Sequence, residues 1–275
     1  MSNVLIVTKQ ETENVARLGS ALGKKKLFPS IVELSEIGML ARGGRTSVTA
    51  KGVDLSDFDA CFMDAPIELA PFVEVLLDEF AEKGVFCQAA PESYYVSSNK
   101  PFLLSSLSEC GVRTPLFEVL PDASALSHSS GFKFPLVLHR YRGYQEAKRI
   151  VVEDESALKA LCKSFSESDV VVLQELIESD LDRSLVVGDE VFNIRKKWSP
   201  KKRENVGRGV YHKLSNDAEE TVFKACKTIG CSIALVDSSD GMVLEASPYF
   251  DVGEFSTSGK DVFSLIAGFY AEALK

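Results

Sequence analysis

VVVLQELIESDLDRSLVVGDEVFNIRKKWSPKKRENVGRG, residues 170–209, decides how the rest of the chain is read. Val170–Leu173 is a short β-branched apolar run, the mark of a buried strand, and it leads into Gln174, Glu175, Leu176, Ile177 and Glu178. After a polar turn, Ser184–Val187 and Val191–Ile194 read as two strands joined by Gly188-Asp189, a dipeptide suited to a tight hairpin. A cationic segment follows, with Arg195, Lys196, Lys197, Lys201, Lys202 and Arg203 predicted as a loop over the same strand ends. Backbone donors and acceptors, two carboxylates and a cationic loop at one strand end make a place to hold a nucleotide.

Composition bounds the possibilities. At 275 residues, 45% hydrophobic and 26% charged, the chain can bury ample core as one large unit or a few small lobes. It has no uncharged apolar run of about 18 residues, and MSNVLIVTKQ reads as a strand rather than a signal peptide, so a cytoplasmic protein with no membrane partner is expected. The six cysteines are widely spaced without a C-x-x-C pair, which points to buried thiols rather than a disulfide framework or a zinc site. A net charge of −9 argues against a nucleic-acid partner, leaving the basic segment as a local anion site.

Outward from that stretch, Asn3–Thr8, Ile31–Leu34, Phe58–Met63 and Val85–Gln88 read as strands alternating with helices over Glu13–Lys24 and Ile67–Lys83, a small parallel α/β lobe. No G-x-G-x-x-G follows the first strand, which excludes a dinucleotide-binding dehydrogenase. Ser97, Ser98 or Asn99 caps a helix with Pro101 in its first turn, and Gly111 ends it. Lys100 stands at the positive end of that helix, where a cation is disfavoured unless it is solvated or an anion lies close. Strands are expected over Leu116–Leu120, Phe134–His139 and Arg149–Val152, with Arg140–Lys148 a loop, and a crossing helix over Glu155–Ser164. A helix from Asn216 precedes strands Ile233–Asp237 and Met242–Ala246, joined by Ser238-Ser239-Asp240-Gly241; a last helix spans Val262–Leu274. Asp237 and Glu245 then sit on neighbouring strands, either as a solvated pair or sharing one hard cation.

In order, Lys100 with its helix, Gly111-x-x-x-Pro115, the Pro135–His139 strand, Gln174–Glu178, Arg183 before Val-Val-Gly, Arg203-x-Asn205-x-x-Arg208-Gly209, Val236-Asp237 and Leu244-Glu245-x-Ser247 resemble the ATP-grasp superfamily. Within it the chain is most similar to RimK-type glutamate ligases and to LysX-type ligases of amino-group-carrier lysine biosynthesis. The resemblance implies an α/β ATP-grasp fold behind an N-terminal parallel-sheet domain, divided at 1–92, 93–172 and 173–275. It implies an ATP- and magnesium-dependent carboxylate–amine ligase, with manganese as the other candidate ion, working through an acyl phosphate on a small-molecule, acidic peptide or carrier substrate. It also implies a homodimer or homotetramer.

By the same resemblance, Glu175 and Leu176, within the run from Gln174 through Ile177, would meet adenine, and Glu178 or Asp182 the ribose, with Arg183 beside them. Lys100 would meet the phosphates, Arg203, Asn205 and Arg208 the terminal phosphate, and Asp237, Glu245 and Ser247 the magnesium. Three positions depart from the pattern. His139 stands where a second phosphate lysine is usual, with Arg140 or Arg142 as stand-ins; Gly143–Lys148 lacks the glycines of the lid and places Glu146 there; Ser247 replaces an asparagine. A nucleotide-binding protein without turnover, or a small-molecule kinase like the inositol-phosphate kinases of this fold, is the alternative. The kinase would account for the basic run, and Trp198 within it either packs on substrate or seals the lobe.

Overall fold

Alternation within Asn3–Thr8 (β1) buries Val4 and Ile6 on one side of a sheet and Leu5 and Val7 on the other, so the strand must be covered on both faces. In the computed structural model, which describes residues 2–122, 124–125, 131–142, 145–166, 168–258 and 261–275, helices supply both covers. Helix α1 (Glu13–Lys24), capped by the Thr12 side chain, packs under Val4 and Ile6. Further along come β2 (Phe28–Glu33), a hairpin sheet of β3 (Ile37–Arg42), β4 (Arg45–Ala50) and β5 (Val53–Asp54), and then β6 (Ala60–Asp64). Helix α2 (Ala70–Lys83) covers Leu5 and Val7 and ends at Gly84, whose positive φ of 76° closes its last turn. With β7 (Phe86–Cys87) the parallel order is β2-β1-β6-β7.

Helix α3 (Ser93–Ser98) leads into α4 (Lys100–Glu109), with Asn99 as its cap. A second, antiparallel sheet follows: β8 (Phe117–Leu120), β9 (Leu136–Arg142), β10 (Gln145–Val152) and, after α5 (Glu155–Cys162), β11 (Asp169–Glu175), in the order β10-β9-β11-β8. One face, with Leu136, Leu138, Val171 and Leu173, packs with Leu158 of α5; the other carries Val137, His139, Tyr141, Val172 and Gln174, all buried. The third sheet is antiparallel, β14-β13-β12-β15-β16: β12 (Leu181–Val187), β13 (Glu190–Ser199), β14 (Glu204–Tyr211), β15 (Ile233–Ser239) and β16 (Met242–Ser247). Helix α6 (Asn216–Thr228) covers one of its faces and α7 (Val262–Ala273) part of the other.

Several expectations are corrected. The basic segment is a loop only in its second half: β13 continues to Ser199 and pairs with β14, because alternating Arg195, Lys197 and Ser199 can face out while the backbone completes its ladder, and the turn is confined to residues 200–203. Within the expected Arg140–Lys148 loop, residues 140–142 and 145–148 are likewise strand, paired antiparallel. The β3–β5 sheet and α3 were missed; both are short, and polar residues blur their periodicity. Gly143 and Tyr144 of the expected lid, the side chains of Arg142 and Glu146, and His128 lie outside the described residues.

Candidate active site

Register decides which of the expected residues meet. Arg183 on β12 lies opposite Asp237 on β15, which lies opposite Glu245 on β16, so the three share one face of the third sheet. Beyond Glu245 the pairing slips: Ser238 faces Val243, leaving Leu244 as the extra residue of a β-bulge. Its carbonyl accepts a hydrogen bond from the Lys100 ammonium, which also donates to Glu245 Oε2 at 2.6 Å. Lys100 is only 7% exposed, so the cation at the start of α4 is held by an acid and a freed carbonyl rather than by water.

Arg183 forks onto Asp237 through two bonds of 2.8 and 2.7 Å and reaches Glu254 at 2.6 Å; Lys196 meets Glu254 at 3.2 Å. Glu254 gave no signal in the sequence, because its Gly- and Ser-rich surroundings have no period. Burial pushes its carboxyl up, but Arg183 and Lys196 outweigh burial and hold it below its ordinary value of 4.5. The donor set suits a small hard cation: two carboxylates and the Ser247 hydroxyl sit on adjoining positions, and magnesium keeps its waters and phosphate oxygens as further ligands. Here each acid is matched by a protein cation, and among the described residues no group of three His, Cys, Asp or Glu could hold a metal. The Ser247 hydroxyl accepts from the Tyr249 amide at 3.1 Å.

Asp182 does not join this group. Alternation turns it to the opposite face of β12, where Arg195 grips it at 2.8 and 2.6 Å and Asn193 donates to it at 3.0 Å. Arg140, offered as a stand-in for a phosphate lysine, likewise turns toward α5, pairing with fully buried Asp169 at 2.9 Å and stacking on Phe165; His139 occupies the other face of β9. Gln174 shares that face, with its side-chain carbonyl buried and unpartnered. Beyond Glu175, the linker that carries Leu176 and Ile177 reaches Glu178, which accepts from Arg203 at 2.9 Å; Arg203 also pairs with Glu153 at 2.9 Å, joining the second sheet to the third. Arg203 holds a positive φ of 52° in the β13–β14 turn, a strained conformation for a side-chain-bearing residue. Asn205 donates to the Ser179 carbonyl at 3.0 Å.

Arg208 is presented by the backbone itself. Arg195 faces Val210 and Lys197 faces Val206, so Gly207, Arg208 and Gly209 bow out of the ladder. Gly207 supplies a φ of 80°, and a Cβ at Gly209 would come within 2.6 Å of Ile194. Both glycines are thus required for the bulge that carries the exposed Arg208, which pairs with no acid among the described residues.

The profile of the RimK-like ATP-grasp domain matches residues 106–251, more than half of the chain. The chain belongs to the RimK-like ATP-grasp family. A probable alpha-L-glutamate ligase of Haemophilus influenzae is 28% identical over 204 residues, covering 68% of each protein. Of solved structures, ATP-grasp ligase PsnB complexed with minimal precursor, Mg and ADP superposes with a TM-score of 0.72 at 16% identity, covering 98% of this chain and 97% of that one. Macrocyclase MdnC of Microcystis aeruginosa, bound with precursor peptide MdnA, gives 0.69 at 14% identity over 99% of both chains. At such identities these likenesses establish the fold. Family membership makes the protein an ATP-dependent ligase of the carboxylate–amine class, with the expected α/β ATP-grasp architecture.

The Glu254 clamp of this RimK-like ligase predicts a pH signature. A carboxyl held below its ordinary value gains its proton later in the folded state than in the unfolded one, so its contribution is complete above about pH 4.5 and lost as pH falls below it. With its side chain 33% exposed, Glu254→Gln should destabilise by only about 1 kcal/mol at neutral pH. Denaturant unfolding of both proteins should show that gap constant from about pH 5 to 8 and closing toward pH 3. A gap that widens in acid contradicts the assignment.

Proposed function

We propose that the protein joins an amine to a substrate carboxylate, with the ATP triphosphate lying between the second and third sheets and its terminal phosphate over the Asp237–Glu245 face. The meeting of Lys100, Glu245, Asp237 and Arg183 at one sheet face carries this reading: two neighbouring acids, Glu245 and Asp237, are each held by one cation, an arrangement that an incoming polyanion and divalent ion could take over. An arriving triphosphate offers anions to Lys100, and release of Lys100 frees Glu245. Asp237, Glu245 and Ser247 would then hold magnesium. When bound, the ion neutralises charge on the phosphoryl oxygens and orients them for transfer.

In the first step the substrate carboxylate oxygen attacks the terminal phosphorus, the bond to the bridging oxygen breaks, and ADP leaves with that electron pair. In the second, the neutral amine attacks the acyl carbon, the carbon–oxygen bond to phosphate breaks, and the nitrogen loses one proton as the amide forms. Lys100, Arg203 and Arg208 serve by charge and position rather than by covalent chemistry, and Asn205 by hydrogen bonding. Glu175 and Leu176 frame the adenine, with Gln174 and Ile177 beside them and Glu178 toward the ribose. A peptide as one substrate is supported by the precursor peptides of PsnB and MdnC, and an acidic amino acid as one ligation partner by the naming of the Haemophilus relative.

The kinase alternative loses its motive. Arg195, Lys196 and Lys197 are each paired to an acid of the chain, which leaves fewer free cations for a polyphosphate substrate. The test is thermal shift with ATP, with and without magnesium, followed by product assays against pools of amino acids and acidic peptides. ADP, free phosphate and a new amide together support the ligase; ADP without free phosphate indicates a kinase, and nucleotide binding without turnover a binding protein. In addition, His139→Lys restores a fixed charge on the buried face of β9 and should tighten ATP about tenfold, measured by titration calorimetry. Unchanged affinity means that His139 does not face the phosphates.

A further inference from the structure

The parallel sheet has a crevice of its own. Helix α1 leaves β1 on one face and α2 leaves β6 on the other, so the carboxyl ends of these adjacent strands diverge at the switch point where open α/β sheets bind ligands. A cavity of about 390 Å³ occupies that place, walled by the β1–α1 turn, the end of β6 and the segment Tyr249–Val252 that follows β16. Its inner surface is apolar, from Val15, Leu18, Phe62, Phe250 and Phe263. Asp64 stands at its polar end, its Oδ2 accepting from the Thr8 hydroxyl at 3.0 Å. Asp251 closes the mouth, with Oδ1 accepting from the Gly253 amide at 2.8 Å and from Asn14 at 3.5 Å.

These two acids differ from those of the nucleotide face. Asp237, Glu245 and Glu254 each carry an arginine or lysine, whereas among the described residues neither Asp64 nor Asp251 forms an ion pair. Burial, and Asp251 with it, pushes the Asp64 carboxyl up. The exposed Lys9 also lines the cavity, at its solvent side. An apolar chamber with two cation-free carboxylates fits a molecule with an apolar body and an ammonium group. The chamber is also tied to the reaction centre, since the Tyr249 amide that enters its wall bonds the Ser247 hydroxyl.

We propose that this cavity binds the amine co-substrate, a primary amine on a short apolar body, with its ammonium between Asp64 and Asp251. The assignment rests on the ligase reading for the word co-substrate alone; binding is testable without nucleotide. Saturation-transfer NMR on the full chain at neutral pH would use L-valine and n-butylamine as probes, with N-acetyl-L-valine and 1-butanol as neutral counterparts. The ammonium probes should bind and the neutral ones should not. Asp64→Asn, which keeps an acceptor for Thr8, should weaken binding roughly tenfold. Equal binding of charged and neutral probes, no binding of any probe, or full affinity in Asp64→Asn overturns the proposal. The comparison of probes on the unmodified protein stands even if the variant does not fold. A separate measurement of ATP binding and turnover judges the ligase reading, so the two failures are distinguishable.

Discussion

Lys100→Met is expected to lower ATP-dependent turnover by about 100- to 1000-fold, the usual loss when one charged donor is withdrawn from a developing phosphoryl anion. The protein should nevertheless fold. Glu245, the acid Lys100 leaves behind, is 42% exposed and can be solvated, so the main structural loss is the donor to the Leu244 carbonyl. That loss costs about 1–2 kcal/mol, a fall in melting temperature of roughly 2–6 °C. Glu245→Gln should also reduce turnover, and the double variant should lose much less than the product of the two, because both residues serve one charge exchange. Steady-state assays with calorimetry on all three proteins check this; more than a tenth of normal turnover in Lys100→Met would remove the lysine from the phosphate site.

The largest loss of stability is expected from Arg183→Met. Arg183 is 21% exposed and bonds both Asp237, itself 8% exposed, and Glu254. Its removal leaves two acids close together with Lys196 as the remaining cation on Glu254, and breaking a buried pair costs about 3–5 kcal/mol. Partial exposure places the expected loss near the lower end, about 3 kcal/mol, or roughly 6–12 °C in melting temperature. Arg183→Lys should recover less than half of it, since an ammonium cannot span both carboxylates with the planar fork. A loss below about 1 kcal/mol would show that the bonds seen here are screened by solvent.

Much of the site depends on local irregularities. The bulge at Leu244 supplies the carbonyl that Lys100 holds, and the bowed Gly207–Gly209 segment carries Arg208 outward. Neither is encoded by a period. A bulge adds one residue to one strand, and only the partner strand reveals the mismatch. The same holds for Asp182 and Arg183: both were candidates for one site, yet the two-residue repeat of a strand sends adjacent side chains to opposite faces. That separation was inferable once Leu181–Val187 was known to be one continuous strand, whereas a turn reaching to Ser184 concealed it.

From its residues alone the chain determined the burial of β1, a cap among Ser97, Ser98 and Asn99 ahead of Lys100, the Gly188-Asp189 hairpin, and the adjacency of Asp237 and Glu245, although the turn between their strands is Asp240-Gly241 alone rather than four residues. Each is local: hydrophobic period, capping chemistry and turn chemistry act within a few residues. Tertiary structure alone decided that Lys100 meets Glu245 across 145 positions, that Glu254 shares Arg183 with Asp237, and that a chamber lined by unpaired acids opens beside Ser247. Charge pairing and cavities depend on which faces the packed sheets bring together, and that is set by burial of apolar surface summed over the whole chain rather than by any short stretch.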